Sequence, residues 1–147
     1  MKITDAFIAE HAVLYAQLDH LEQAIPAAKR VGEIKAMAAL LEAALRTHAQ
    51  LEDELLFNGL EPGLDQMGKL EKVQHEHGAI CHGLEQVRHS RARKEAQQRL
   101  LSILHLTRKE FDLEDRVIFR MAEEILREES LQKLGKVWAR LRMVPAR

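Results

Sequence analysis

Residues 48–57 read HAQLEDELLF, and residues 110–119 read EFDLEDRVIF. Leu, Glu, Asp and the closing Phe recur at matching places, with an apolar pair before each Phe. The opening letter changes from the imidazole of His48 to the carboxylate of Glu110. A second pair of segments precedes these in the same order: EHAVLYAQL at 10–18 and EHGAICHGL at 76–84. The economical reading is a helical hairpin duplicated within one chain.

Helical periodicity runs through all four segments. Phe7, His11, Leu14, Leu18, Leu21 and Ile25 alternate spacings of four and three, which places them on one helical stripe. Thr4 and Asp5 are expected to cap this helix, and Pro26 to end or kink it. A second helix starts near Gly32 and carries Ile34, Leu41, Leu45, His48, Glu52 and Leu55 inward. It is expected to stop at Asn58-Gly59, where NGLEPGLDQMG reads as the clearest loop. A third places Leu70, Val73, His77, Ile80, Leu84 and Val87 on one face and fades into the connection RHSRARKE. A fourth carries Leu100, Ile103, Thr107, Glu110, Glu114, Val117 and Met121. After REES, Leu131, Leu134, Trp138 and Leu141 form the inner face of a short amphipathic helix. Met37, Met67 and Met121 read as core fillers, as does the small side chain of Cys81.

These segments predict an all-α fold, an antiparallel up-down four-helix bundle over residues 1–128. The C-terminal helix and tail, residues 129–147, are expected to pack across it. Composition agrees. Of 147 residues, 31% are charged and 46% hydrophobic, while 7 Gly and 3 Pro leave little material for β-turns. A formal net charge of -1 gives no global field for nucleic acid or a membrane surface. A lone Cys81 excludes an internal disulfide and fits a reducing compartment. The N-terminus lacks the pattern of a signal peptide, and no apolar run approaches the roughly 18 residues of a membrane span. A cytoplasmic protein is the expectation.

Polar residues interrupt every inner stripe: His11, then His48 with Glu52, then His77, then Glu110 with Glu114. A single imidazole on an apolar face is ordinarily a hydrogen-bonded core residue, and buried His–Glu pairs also form structural networks. Six such groups at corresponding depths on four helices require a common cause, because an unpaired buried carboxylate is costly. Residues at i and i+4 share a helix side, so both pairs aim at one point in the bundle. Ligands projecting inward from four helices, with carboxylates able to bridge, are how bundles hold two metal ions. Three imidazoles and three carboxylates without thiolate suit iron, manganese or zinc. His20, His75, His82 and His89 lie off the stripes and are expected to be solvated. His105 precedes Glu110 by five residues, roughly 140° around a regular helix, and joins the set only if a π-bulge widens that turn.

Taken together, EHAVL, HAQLEDELLF, EHGAI and EFDLEDRVIF resemble the hemerythrin-like, or HHE cation-binding, family over about residues 5 to 125. The resemblance implies a four-helix bundle with a non-haem di-iron centre. It implies terminal ligation by His11, His48 and His77 and bridging by Glu52 and Glu114. The functions it implies include binding or sensing oxygen, nitric oxide or peroxide, iron handling and repair of iron–sulfur clusters. Departures are Glu110 where the family usually has His, Asn58 and Arg120 where Pro is common, and Cys81 at the i+4 place after His77. The His105–Glu110 spacing also resembles the H-x-x-x-x-D of oxygen-carrying members. Glu110 can therefore be a terminal ligand, a bridge beside His105, or off the metal.

The expected cofactor is two iron ions, with zinc or manganese as alternatives, and the expected partner is a small diatomic or peroxide ligand. An oxidative di-iron enzyme is a second class. A metal-free bundle that docks a partner through the Trp138 helix is a third.

Overall fold

A computed structural model describes residues 1–60 and 67–143. The greater part of NGLEPGLDQMG, the side chain of Met67 and all but the first residue of MVPAR lie outside them. Six α-helices follow in chain order: α1 (Ile3–Ala27), α2 (Val31–Leu55), α3 (Met67–His89), α4 (Arg93–Leu113), α5 (Phe119–Ile125) and α6 (Glu128–Arg142). A 3-10 turn, Phe57–Leu60, follows α2, and a π-turn, Glu114–Ile118, joins α4 to α5. The described residues contain no strand. Each of α1 to α4 packs on its chain neighbours, and α4 closes back onto α1. The fold is therefore an all-α bundle of two helical hairpins with a short C-terminal helix laid against α1.

Several helix ends differ from expectation. Lys2, not Thr4, precedes the first turn of α1. Thr4 is buried, and its hydroxyl donates to Glu123 at 2.5 Å, while Asp5 takes the Lys2 backbone N–H at 2.9 Å. Pro26 sits in the last turn of α1, one residue before its end. Most of RHSRARKE is helical, since only residues 90–92 separate α3 from α4. Lys, Arg, Glu and Ala are good helix formers, and charge alone did not make a loop of them.

The core has two parts. Leu14, Leu18, Ile34, Leu41, Leu84 and Leu100 belong to one, and Phe7, Leu56, Phe57, Val73, Ile118 and Phe119 to the other. Along α1 the first ends at Leu14 and the second begins at Phe7, so His11 falls at the seam. On α2, His48 falls there too, between Leu45 and Leu51. Burial of a Leu or Phe side chain contributes about 1.5–3 kcal/mol each, which lets the two cores hold a polar layer between them.

Helix α6 docks by burying Leu131 and by close approach at Gly135, where a Cβ would come within 2.4 Å of the Met1 carbonyl oxygen. Leu141 is 58% exposed, contrary to its expected inward position, because α6 ends one turn after Trp138. Replacing Gly135 by Ala is expected to push α6 from the N-terminus at a cost of about 1–3 kcal/mol, read as a lower urea midpoint. An unchanged midpoint would show that this approach does not hold α6 in place.

Candidate metal centre

His11 comes from α1, His48 and Glu52 from α2, His77 from α3, and Glu110 from α4, while Glu114 opens the π-turn. All but His77 are buried at 2% exposure or less, and His77 is nearly so. They form two groups that could each hold a metal ion: His11, His48, Glu52 and Glu114, and His77, Glu110 and Glu114. Glu114 belongs to both, with Oε2 at 3.2 Å from His11 Nε2 and Oε1 at 3.2 Å from His77 Nε2. Glu52 also spans them, with Oε1 at 3.1 Å from His48 Nε2 and Oε2 at 3.6 Å from His77 Nε2. Glu110 Oε1 stands 2.8 Å from His77 Nε2.

The outer atoms of the rings explain why the inner ones converge. His11 Nδ1 meets Asp115 Oδ1 at 2.7 Å, and His48 Nδ1 meets Glu10 Oε2 at 2.5 Å. A carboxylate on Nδ1 requires the proton there and leaves the Nε2 lone pair pointing inward, the arrangement of a metal-ligating imidazole. The two Nε2 atoms then face each other at 2.9 Å. Two lone pairs so close repel unless a cation lies among them. Both Glu52 oxygens, Glu110 Oε1 and Glu114 Oε2 are buried without an aligned hydrogen bond. Donor types and orphaned oxygens together fit a hard or borderline divalent ion.

In metal-free protein, protons must do this work. Burial lowers the His11 pKa, but Asp115, Glu114 and Glu52 outweigh it and raise it to about 11. His77 likewise rises to about 11 against burial, through Glu110 and Glu114. His48 rises to about 9 against burial, through Glu52 and Glu10. Glu52 is held down to about 2 despite burial, by His48 and His11. Glu110 moves the other way, to about 7, because burial and the nearby Glu114 and Glu52 outweigh His77.

The two halves are unequal. His77 Nδ1 and Asp53 Oδ1 are both buried without a hydrogen-bond partner, although Asp53 is the duplicate of Asp115. Glu76, the duplicate of Glu10, precedes a ligand set in which Glu110 replaces the imidazole and offers no N–H to hold.

His105 is exposed on a regular stretch of α4 and joins neither group. The helix does widen, but downstream at the π-turn, where the Phe119 N–H reaches back to the Glu114 carbonyl. The corresponding bond in α2 is the regular one, from Leu56 to Glu52 at 2.9 Å. The π-turn lets Glu114 and Asp115 grip opposite nitrogens of the same ring, His11. Phe111 stacks on that ring with centroids 4.0 Å apart. His20, His75, His82 and His89 are exposed, as expected. Cys81 is exposed rather than buried, and it borders the small cavity beside His77 and Glu110.

Sequence reading missed Glu10 and Asp115 as partners of the converging rings. Their only signal was adjacency, Glu10 beside His11 and Asp115 beside Glu114, yet Glu10 serves His48 instead of its neighbour. Burial would raise the Glu10 pKa, but His48, Arg142 and Trp138 hold it down to about 2, so it is an ionised acceptor.

Comparison with curated proteins and with solved structures gives no match. The model of the Hemerythrin HHE cation binding domain matches residues 2–133, which include all six converging side chains. By that match and by its buried His and Glu cluster, the chain belongs to the hemerythrin HHE cation-binding family.

Proposed function

We propose that this protein holds two iron ions in the His–Glu cluster and binds or senses dioxygen, nitric oxide or peroxide beside them. The observation that carries the small-ligand reading is a cavity of about 20 Å³ whose lining includes His48, His77, Cys81, Glu110 and Phe111. That is room for one water-sized molecule. The cavity touches His77 and Glu110 of the group with three candidate ligands and His48 of the group with four, so it lies beside both. A wider apolar groove between α1 and α2, about 820 Å³, contains none of the six side chains and does not bear on this choice.

The bound ions would supply a redox-active Lewis-acid pair. The chain supplies the rest. Glu52 and Glu114 span the two groups and offset much of their positive charge. Asp115 and Glu10 keep Nδ1 of His11 and His48 protonated and fix both rings. Phe111 and Phe119 cover His11 and keep bulk water from the cluster. Leu45, Ile80 and Phe111 give the cavity an apolar wall suited to an uncharged diatomic molecule.

Metal analysis of protein purified without added metal tests the reading, together with near-ultraviolet spectra under nitrogen and oxygen. About two irons per chain and a reversible spectral change with oxygen or nitric oxide are expected. Stoichiometric zinc or manganese would replace iron as the metal, and irreversible oxidation with turnover would move the protein to the enzymes. Absence of any metal near stoichiometry would end the proposal.

A further inference from the structure

Trp138 and Arg142 lie beyond the residues that the family model matches, yet both reach into the cluster's surroundings. Trp138 Nε1 donates to Glu10 Oε1 at 2.8 Å, and Arg142 Nε donates to the same oxygen at 2.6 Å. The other oxygen, Oε2, holds His48 Nδ1 at 2.5 Å. One carboxylate therefore joins the C-terminal helix to a candidate metal ligand. His48 itself is buried, as is Leu131 at the base of α6. Glu10, Trp138, Arg142 and His48 also border a single cleft of about 450 Å³ between α1, α2 and α6.

We propose that α6 is a positioning element for the metal cluster, in which Trp138 and Arg142 hold Glu10 and thereby orient His48 with Nδ1–H outward and Nε2 inward. The consequence for metal binding rests on the function proposed above; the orientation of His48 does not. Without the two donors, Glu10 keeps an unsatisfied oxygen in a partly buried place and turns toward water. His48 then loses the acceptor that selects its ring orientation. His11 keeps its own Nδ1 partner, Asp115, which comes from the π-turn and not from α6. Loss of the Nδ1 acceptor is therefore confined to one ring of the pair. Duplication does not provide this element: α6 occurs once, on the half that retains the imidazole.

Two readouts on the full chain test this, one of them without metal. In metal-free protein, a hydrogen-bonded ring N–H resonance from His48 and another from His11 are expected in proton NMR with nitrogen-15 histidine labelling. Trp138→Phe with Arg142→Met removes both donors and keeps apolar side chains at both positions. It is expected to abolish the His48 resonance through exchange and to leave that of His11. Persistence of the His48 resonance, or loss of both, would overturn the proposal. Cobalt(II) titration then measures the consequence, with one binding step weakened about 10–100-fold, the range for outer partners of a ligating His. Equal weakening of both steps would mean general destabilisation and would also overturn it. Trp138→Phe with Arg142→Lys, which keeps one donor, is expected to restore most of the His48 signal lost in the double variant; no recovery would overturn the proposal. Failure of the unaltered chain to bind cobalt would sink the metal reading, while the NMR result would still decide whether α6 orients His48.

Discussion

Replacing Glu114 by Gln is expected to strip the protein of both ions, whereas replacing Glu110 by Gln is expected to remove one. Glu114 stands in both ligand groups, one oxygen toward His11 and the other toward His77. A neutral amide offers one weaker oxygen and an NH2 group that points donors at a cation. Each ion would also lose negative charge in a buried site, where it counts most. The loss of affinity should exceed the roughly 10–100-fold typical of outer partners. Glu110 belongs only to the His77 group, so His11, His48, Glu52 and Glu114 remain intact in its absence. Metal content after desalting, with circular dichroism as a check on folding, decides the matter. Equal losses in both variants would mean that Glu114 is not shared in solution.

Metal-free protein is expected to lose stability as pH rises from about 5 to about 10, and metal-loaded protein to gain it over the same range. His11 and His77 have folded pKa values of about 11 against an ordinary 6.5, and His48 about 9. A raised folded pKa stabilises fully below 6.5, and that contribution is lost as pH climbs through the folded value. Glu110, raised from 4.5 to about 7, adds to the loss between those two values. Glu52, lowered to about 2, contributes above 4.5 and loses its effect only as pH falls toward 2. Metal reverses the slope because ligation requires the rings deprotonated at Nε2, so ions compete with protons. Thermal melts with chelator should fall on the order of 10 °C across the window. Melts with saturating metal should rise. Parallel profiles would mean that the ion does not replace these protons.

Four of the six cluster residues were legible in the repeated decapeptides, and His11 and His77 in the repeated segments that precede them. His11, His48, Glu52, His77, Glu110 and Glu114 stood on apolar stripes where burial without a partner is costly, and the fold brings those six together. His105 was ambiguous because its inclusion depended on where α4 widens. The π-turn at Glu114–Ile118 reads EDRVI, and its duplicate at 52–56 reads EDELL, which keeps the regular bond at the end of α2. Val117 and Ile118 are poorer helix formers than Leu55 and Leu56, but propensity alone does not place one extra residue in the turn. Its benefit is tertiary, since it brings Asp115 to His11 across 104 positions of chain.

The residues alone determined the helical class, the duplicated hairpins and the inward set of imidazoles and carboxylates, because periodicity and the cost of burying charge are local properties. Glu10 on His48, Asp115 on His11, the orphaned pair Asp53 and His77, and the reach of Trp138 and Arg142 to Glu10 were decided only by packing. Each depends on side-chain direction between helices distant in sequence. Spacing along one helix fixes which face a residue occupies, but not which group it meets there.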